Sequence, residues 1–443
     1  MKRSMSELTV FTLLALAGVA ITSTVASAQP GSPMTSPSVL VPGGGGPMGP
    51  MDGGGSMPPM YEGGGMPPMG QMGQPPYEGG YGPPEGYGDY GGYGYDDGGW
   101  SCGRYCPRMY GGWGEFDVLM WWNRGRRVPS LATTSSNPAD EGVLGRPTTE
   151  TLFGDDLIGS DLQSGGRLNV GTWFDPDQTK GVGFRFTALQ GDRTRFNAMS
   201  DGTTVLARPF FNAQISAEDS LLISQPGFSS GDLQIVAEND FLTGEVYGRL
   251  CVGGGNGRRY DMLAGYQFAR LDDSLRFTST TNVPTLAATF NVLDKFATEN
   301  EFHGGMLGFM GQGSKGRARI SWLVKGAVGN MRQQVAISGA ADVNGTPLPG
   351  GLFVQPSNVG VYTRDRFAFI PEANVNLHWQ LNSFANVSLG YSIIYIADVA
   401  LAGNQIDRQV NVNQPAPPLR PLHVFNESDF WYQGLNVGLN VAF

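Results

Sequence analysis

The sequence predicts an all-β protein whose main body is a closed antiparallel up-and-down transmembrane β-barrel of about ten strands, behind a disordered N-terminal arm. Three observations predict it. From about residue 113 onward, segments of roughly ten residues alternate apolar and polar with period two. The connectors between them alternate strictly, long then short. The last segment, from Trp431 to Phe443, sets Trp431, Leu435, Val437, Leu439, Val441 and Phe443 against Gly434, Asn436, Gly438, Asn440 and Ala442, one face fit for lipid and one for water.

The strands follow in order. GEFDVLMWW (114–122) is the first, then GRLNVGTWF (166–174) and GVGFRFTALQ (181–190), where Val182, Phe184, Phe186 and Ala188 oppose Gly183, Arg185 and Thr187. DFLTGEVYGRLCV (240–252), RYDMLAGYQFARL (259–271), ENEFHGGMLGFM (299–310), ARISWLVKGAVG (318–329), FAFIPEANVNLHWQL (367–381), FANVSLGYSIIYI (384–396) and the terminal segment complete the set. After odd-numbered strands the connector runs to about 25–45 residues, and after even-numbered ones it is only DPDQTK, GGGNG, GQGSKG or NS. Outer-membrane barrels have an even strand number, short periplasmic turns and long outside loops. That places both ends of the barrel and the arm on the periplasmic side and the long loops outside. Twelve strands is the alternative, if TTVLARPF and LQIVAE form a hairpin of their own.

Lipid explains the apolar face better than a second protein layer does. In 373–381, Ala373, Val375, Leu377, Trp379 and Leu381 alternate with Asn374, Asn376, His378 and Gln380, an amide-rich wet face where a soluble sandwich would carry more Lys and Glu. Trp121, Trp122, Trp173, Phe174, Trp431 and Tyr432 lie towards strand ends, as interface girdles require, whereas Trp322 and Trp379 are less terminal and read as packing. Backbone groups facing lipid must be paired within the protein, so the final strand has to close on the first.

The chain opens differently. Lys2 and Arg3, the apolar run Leu8–Val19 and Ala26-Ser27-Ala28 form a signal peptide over 1–28. Residues 29–112 are rich in Gly, Pro, Met and Tyr and too poor in aliphatic side chains to offset the entropy of ordering the backbone. Met57/Met60 and Met66/Met69 are soft thioether pairs, but no His stands near them, and plain disorder is the better account. Cys102 and Cys106 are spaced for a local disulfide whose geometry spacing cannot show, and Cys251 stands alone in a strand. The barrel domain is 113–443.

A net charge of −10 argues against a nucleic-acid partner. GFMGQGSKGR departs from a phosphate loop because Ser314 precedes Lys315 and no helix follows. DPDQTKG fails as a calcium loop because Phe186 stands where its closing ligand belongs. Catalysis would have to use His303, His378 or His423. Glu301 and His303 share a face and read as a hydrated lumen pair, so no catalytic residue, cofactor or metal ligand is expected. The inward positions include Arg185, Glu245, Arg249, Asp261, Arg319, Lys325 and His378, and mixed charges in a narrow lumen pair with one another more readily than they line a selective pore.

Six stretches, LMWWNRGRRVPSLATTS, GVLGRPTTETLFG, GGRLNVGTWFD, LARPFFNA, NQIDRQVN and DFWYQGLNVGLNVAF, together resemble the beta-barrel porin 7 family, known mainly from planctomycetes. The similarity runs from about Phe116 to Phe443. It implies an outer-membrane barrel with lipid as its surroundings and carries no catalytic signature. The aromatic terminal strand resembles that of outer-membrane proteins generally, which signals to the barrel-assembly machinery. The function expected is structural or that of a narrow small-solute porin, with adhesion or receptor activity through the long loops as the alternative.

Overall fold

The protein is described by a computed structural model over residues 111–414 and 417–442. The signal peptide, nearly all of the arm, Cys102, Cys106 and Phe443 lie outside the described residues.

Ten strands form the wall: β1 (Gly112–Asn123), β2 (Gln163–Trp173), β3 (Lys180–Ser200), β4 (Ser230–Gly255), β5 (Arg258–Val283), β6 (Ala288–Lys315), β7 (Ala318–Val343), β8 (Gly360–Gln380), β9 (Ala385–Ala400) and β10 (Glu427–Ala442). Each is antiparallel to its chain neighbours, and β10 pairs with β1 from Trp113↔Ala442 to Asn123↔Tyr432. The sheet is therefore closed, with no edge left to satisfy. Among the described residues there is no α-helix.

The short connections are built by turn chemistry. Asn256 and Gly257 both have positive φ, 53° and 74°, the conformation that a two-residue hairpin turn demands and that Asn-Gly adopts at least cost. Between β2 and β3 the Asp175 carboxylate accepts hydrogen bonds from Thr179 N, Thr179 Oγ1 and Lys180 N at 2.6–3.0 Å. The turn that sequence motifs set against a calcium loop is thus closed by the carboxylate itself.

The strands are longer than their periodicity suggests. β4, β5 and β7 have 26 residues each and β6 has 28, whereas a tilted spanning strand needs about 9–11. The connector expected between β5 and β6 is mostly strand, and only a 3-10 turn, Pro284–Leu286, joins them. LQIVAE is part of β4, and LARPF belongs to a loop strand, Leu206–Asn212, outside the ring. The twelve-strand alternative fails for that reason: the two stretches do not pair with each other. Leu206–Asn212 instead joins Ala132–Ser135, Thr149–Phe153, Ala217–Ser224 and Gln409–Val410 in a five-stranded cap sheet at the long-loop end. Leu206, Phe210, Ile223 and Phe353 of the loops share a buried core with Leu233, Ile235, Phe277, Phe296, Val335 and Ile337 of the wall.

Outward side chains near the short-turn end make an apolar belt: Phe184, Phe186, Val246, Leu307, Phe309, Ile320, Val324, Val375, Leu377, Leu389, Leu435 and Val437 are all exposed. Beyond it the outer face turns charged, with Arg270 paired to Asp272 and Glu299 at 2.8–2.9 Å. The aromatic assignment is corrected in part. Trp121, Trp173 and Tyr432 are buried inside the barrel, while Trp322 and Trp379, expected only to pack, are exposed on the belt. Period two decides this, since Trp121 and Trp122 must face opposite ways. Cys251 is disulfide-bonded rather than alone.

Candidate functional site

The inward face of the wall is layered. Nearest the short turns, Trp113 and Trp173 pack with ring centroids 4.7 Å apart. The guanidinium of Arg249 lies 4.8 Å from the Trp173 ring and that of Arg259 lies 4.5 Å from it. Asp261 holds both arginines at 2.8 Å. Stacking on an indole fixes a guanidinium plane while leaving its edge free to donate.

One layer deeper, ion pairs cross the lumen. Arg185 on β3 reaches Glu372 on β8 at 2.8 Å, between strands on opposite sides of the ring. Lys325 on β7 bonds Glu372 at 2.8 Å and also Glu245 on β4. Beside them Arg167 meets Asp117 at 2.6 Å and donates to Ser392 Oγ at 3.1 Å. Asn374 and Asn436 also donate to Ser392 Oγ, at 2.6 and 2.8 Å. Three cations face three carboxylates here, so the layer is neutral, which is the condition under which buried charge is tolerated.

An apolar layer follows. Leu119, Trp121, Phe241, Phe302, Met331, Ile370, Ile394, Phe430 and Tyr432 form one buried cluster inside the ring. Tyr432 stacks on Phe241 at 4.8 Å and donates to Asn239 at 2.5 Å. Above it Arg126 is held by Asp273 and Asp192 at 2.5 and 3.0 Å, and Arg208 by Asp294 at 2.6 Å within the cap core.

Of the seven inward residues expected from sequence, Arg185, Glu245, Arg249, Arg319, Lys325 and His378 line one cavity of about 140 Å³ near the short turns. Asp261 sits behind it on Arg249 and Arg259. Sequence reasoning missed Asp117, Arg167, Arg259 and Glu372. Arg259 and Glu372 could have been found, because they stand two positions from Asp261 and Asn374 and share their face. Asp117 was overlooked because β1 continues inward with Leu119 and Trp121, although Glu115 shares its face; the register also sets it opposite Arg167.

The Glu301–His303 expectation is corrected. Both side chains face outward, because Phe302 between them is the buried one. His303 bonds Glu301 at 2.9 Å and Tyr266 Oη at 2.5 Å. Inside the lumen His378 Nε2 is 2.7 Å from Ser321 Oγ, but its Nδ1 has no partner. A serine–histidine pair with nothing to orient the imidazole lacks the third part of a hydrolytic triad. Among the described residues no three His, Cys, Asp or Glu side chains cluster as metal ligands.

Residues 113–443 match the family described as "Putative beta barrel porin-7". The chain belongs to this family. It is a porin-like outer-membrane β-barrel, and the exposed belt is the surface that lipid covers. No curated protein matches the chain. Among solved structures it is similar to the outer membrane protease OmpT from Escherichia coli, at 9% identity over 75% of this chain and 97% of that one, with a TM-score of 0.36. OmpT of Vibrio cholerae is 7% identical over 76% and 98%, with a TM-score of 0.16. The P. putida toluene transporter TodX is 10% identical over 76% and 90%, with a TM-score of 0.16.

Proposed function

We propose that this family member is a sealed, non-enzymatic outer-membrane barrel, structural in role rather than an open diffusion pore. The observation that carries the reading is the buried layer of Trp121, Phe241, Phe302, Phe430 and Tyr432, each no more than 3% exposed. A ring of ten strands leaves little more room than the eight that side chains just fill, and an apolar plug excludes the water that a hydrated solute needs. The cross-lumen pairs below it and the loop core above it act in the same sense. Of the seven inward residues, Arg185, Glu245, Arg249, Asp261 and Lys325 are wall struts in this account, and no step requires a cofactor.

The short-turn end faces the periplasm, with the arm on that side, and the cap sheet stands outside. Glu427–Ala442, with its even apolar face, is the strand read by the barrel-assembly machinery. The unpartnered His378 Nδ1 supports the absence of catalysis. A second reading is supported by the cap: a loop sheet with its own core is a rigid surface on which an adhesin or receptor contact can be built.

Planar bilayers test the first reading. Purified full-length protein is expected to insert without defined conductance steps. Regular steps from the wild-type chain would overturn the sealed-barrel account.

A further inference from the structure

We propose that the cavity at the short-turn end of the lumen binds a small oxyanion, of phosphate or carboxylate type. Its volume of about 140 Å³ is roughly ten times what one ordered water requires, which is room for a small ligand or for several waters. Its charged lining is unequal: Arg167, Arg185, Arg249, Arg259, Arg319 and Lys325 against Glu115 and Glu245.

Carboxylates in and around the cavity neutralise most of these cations. Asp117 takes Arg167, Glu372 and Glu245 take Arg185 and Lys325, and Asp261 is shared by Arg249 and Arg259. Glu115 accepts from Asn169 at 3.2 Å. Six cations thus meet five carboxylates, which leaves one positive charge in excess: Arg249 and Arg259 share Asp261, and among the described residues the Arg319 side chain makes no hydrogen bond or ion pair. Its cross-strand neighbour is His378, which brings no anion.

The hydrogen-bond inventory has the same sign. In the lining, Arg249 Nε, Arg259 Nη1, Trp113 Nε1 and Trp173 Nε1 are buried donors without an acceptor, against the unpartnered acceptor Asn376 Oδ1 and His378 Nδ1, which donates or accepts by tautomer; just beyond it Asp117 Oδ1 and Glu372 Oε1 lack a hydrogen-bond donor. Arg259 is 1% exposed and locked by Asp261, the Gln178 carbonyl at 2.7 Å and the Trp173 ring. A buried donor left unmatched is costly, and a preorganised, surplus-positive pocket is the arrangement in which an oxyanion supplies the missing acceptors. The cavity lies below the apolar plug, so this binding does not depend on whether the lumen conducts.

The test titrates detergent-solubilised full-length protein with inorganic phosphate and, separately, with succinate, at constant ionic strength. Binding is followed by calorimetry and by tryptophan fluorescence, since Trp113 and Trp173 line the cavity. Saturable binding of either anion is expected, weakened at least tenfold by Arg319→Gln and partly restored by Arg319→Lys. Arg332→Gln, on the exposed outer face, is expected to leave it unchanged. Retention of heat-modifiable gel mobility shows that Arg319→Gln folds. Should that variant not fold, Arg319→Lys and the wild-type chain decide: protection against thermal unfolding by either anion beyond that given by chloride supports the site. Absence of binding by both anions in the wild type, or equal binding in Arg319→Gln, overturns it.

Discussion

The two halves of this lumen are filled by different physics. Near the short turns the strands face each other across ion pairs and amides, Arg185 with Glu372 and Lys325 with Glu245, and a cavity remains. Towards the long loops the interior resembles a soluble core: Phe277, Phe296, Phe353 and Ile337 pack together around the Arg208–Asp294 ion pair. The guanidinium of Arg208 lies 5.0 Å from both the Phe277 and Phe353 rings. The difference follows from what each half can use as filling. Where lipid takes the outer apolar residues, the short inward side chains must span the lumen, and long charged ones reach furthest. Where the strands rise beyond the belt, loops return to the mouth and bring apolar groups with them.

Removing one charge should break the lower half most severely. Glu372→Ala leaves Arg185 and Lys325 facing each other with Glu245 alone, a loss of about 3–5 kcal/mol for a broken buried network. Urea unfolding in detergent micelles, followed by tryptophan emission, measures it. A stability within about 1 kcal/mol of wild type would show that water fills this layer and screens the pairs.

The apolar layer offers the matching test. Phe302→Ala removes a fully buried ring from the plug and should cost about 3 kcal/mol through lost burial and residual cavity. It is also expected to give intermittent conductance in planar bilayers, where the parent chain is expected to be silent. A destabilised but silent variant would assign the seal to the ion pairs or the loop core instead.

The smallest effect sharpens the comparison through pH. His423, in the loop before β10, stacks on Tyr362 at 3.9 Å, and both its ring nitrogens are buried without partners. Burial, helped by the charge of Arg364, lowers its pKa from the ordinary histidine value. The unfolded loop therefore binds the proton more readily than the folded one. Stability contributed here is intact above about pH 6.5, falls as pH drops below that value, and levels off once the folded pKa is passed. Limited proteolysis of the long loops at pH 5 against pH 8 reads it. His423→Gln should flatten the difference, and an unchanged pH response in that variant would place the titrating group elsewhere.

The ring was legible because closure in lipid imposes period two on every spanning segment. Arg185, Asn374, Asn376 and His378 each stand between apolar neighbours, and that alternation alone aimed them inward. It failed where the two faces differ little. In β1 the inward Glu115 and Asp117 give way to Leu119 and Trp121 while Val118 and Trp122 face out, so the polar stripe is broken and Asp117 went unnoticed. Above the belt β5 and β6 run on through stretches such as RFTSTTNV and ATFNVLDKF, which lack the apolar outer face that lipid requires and resemble connectors in one dimension.

By itself the sequence determined the strand number, the order of turns, the sense in which each spanning residue points and the family to which the chain belongs. Those are local properties, set by the two-residue repeat and by residues such as Asn256 and Gly257. Which charges meet, that Asp117 holds Arg167 and that Glu372 is shared by Arg185 and Lys325, was decided only by the tertiary structure. So was the joining of five loop strands into a cap sheet at the long-loop end. Strand register sets Asp117 opposite Arg167, while the Glu372 contacts and the cap join segments that the chain separates widely and that closure of the ring brings together.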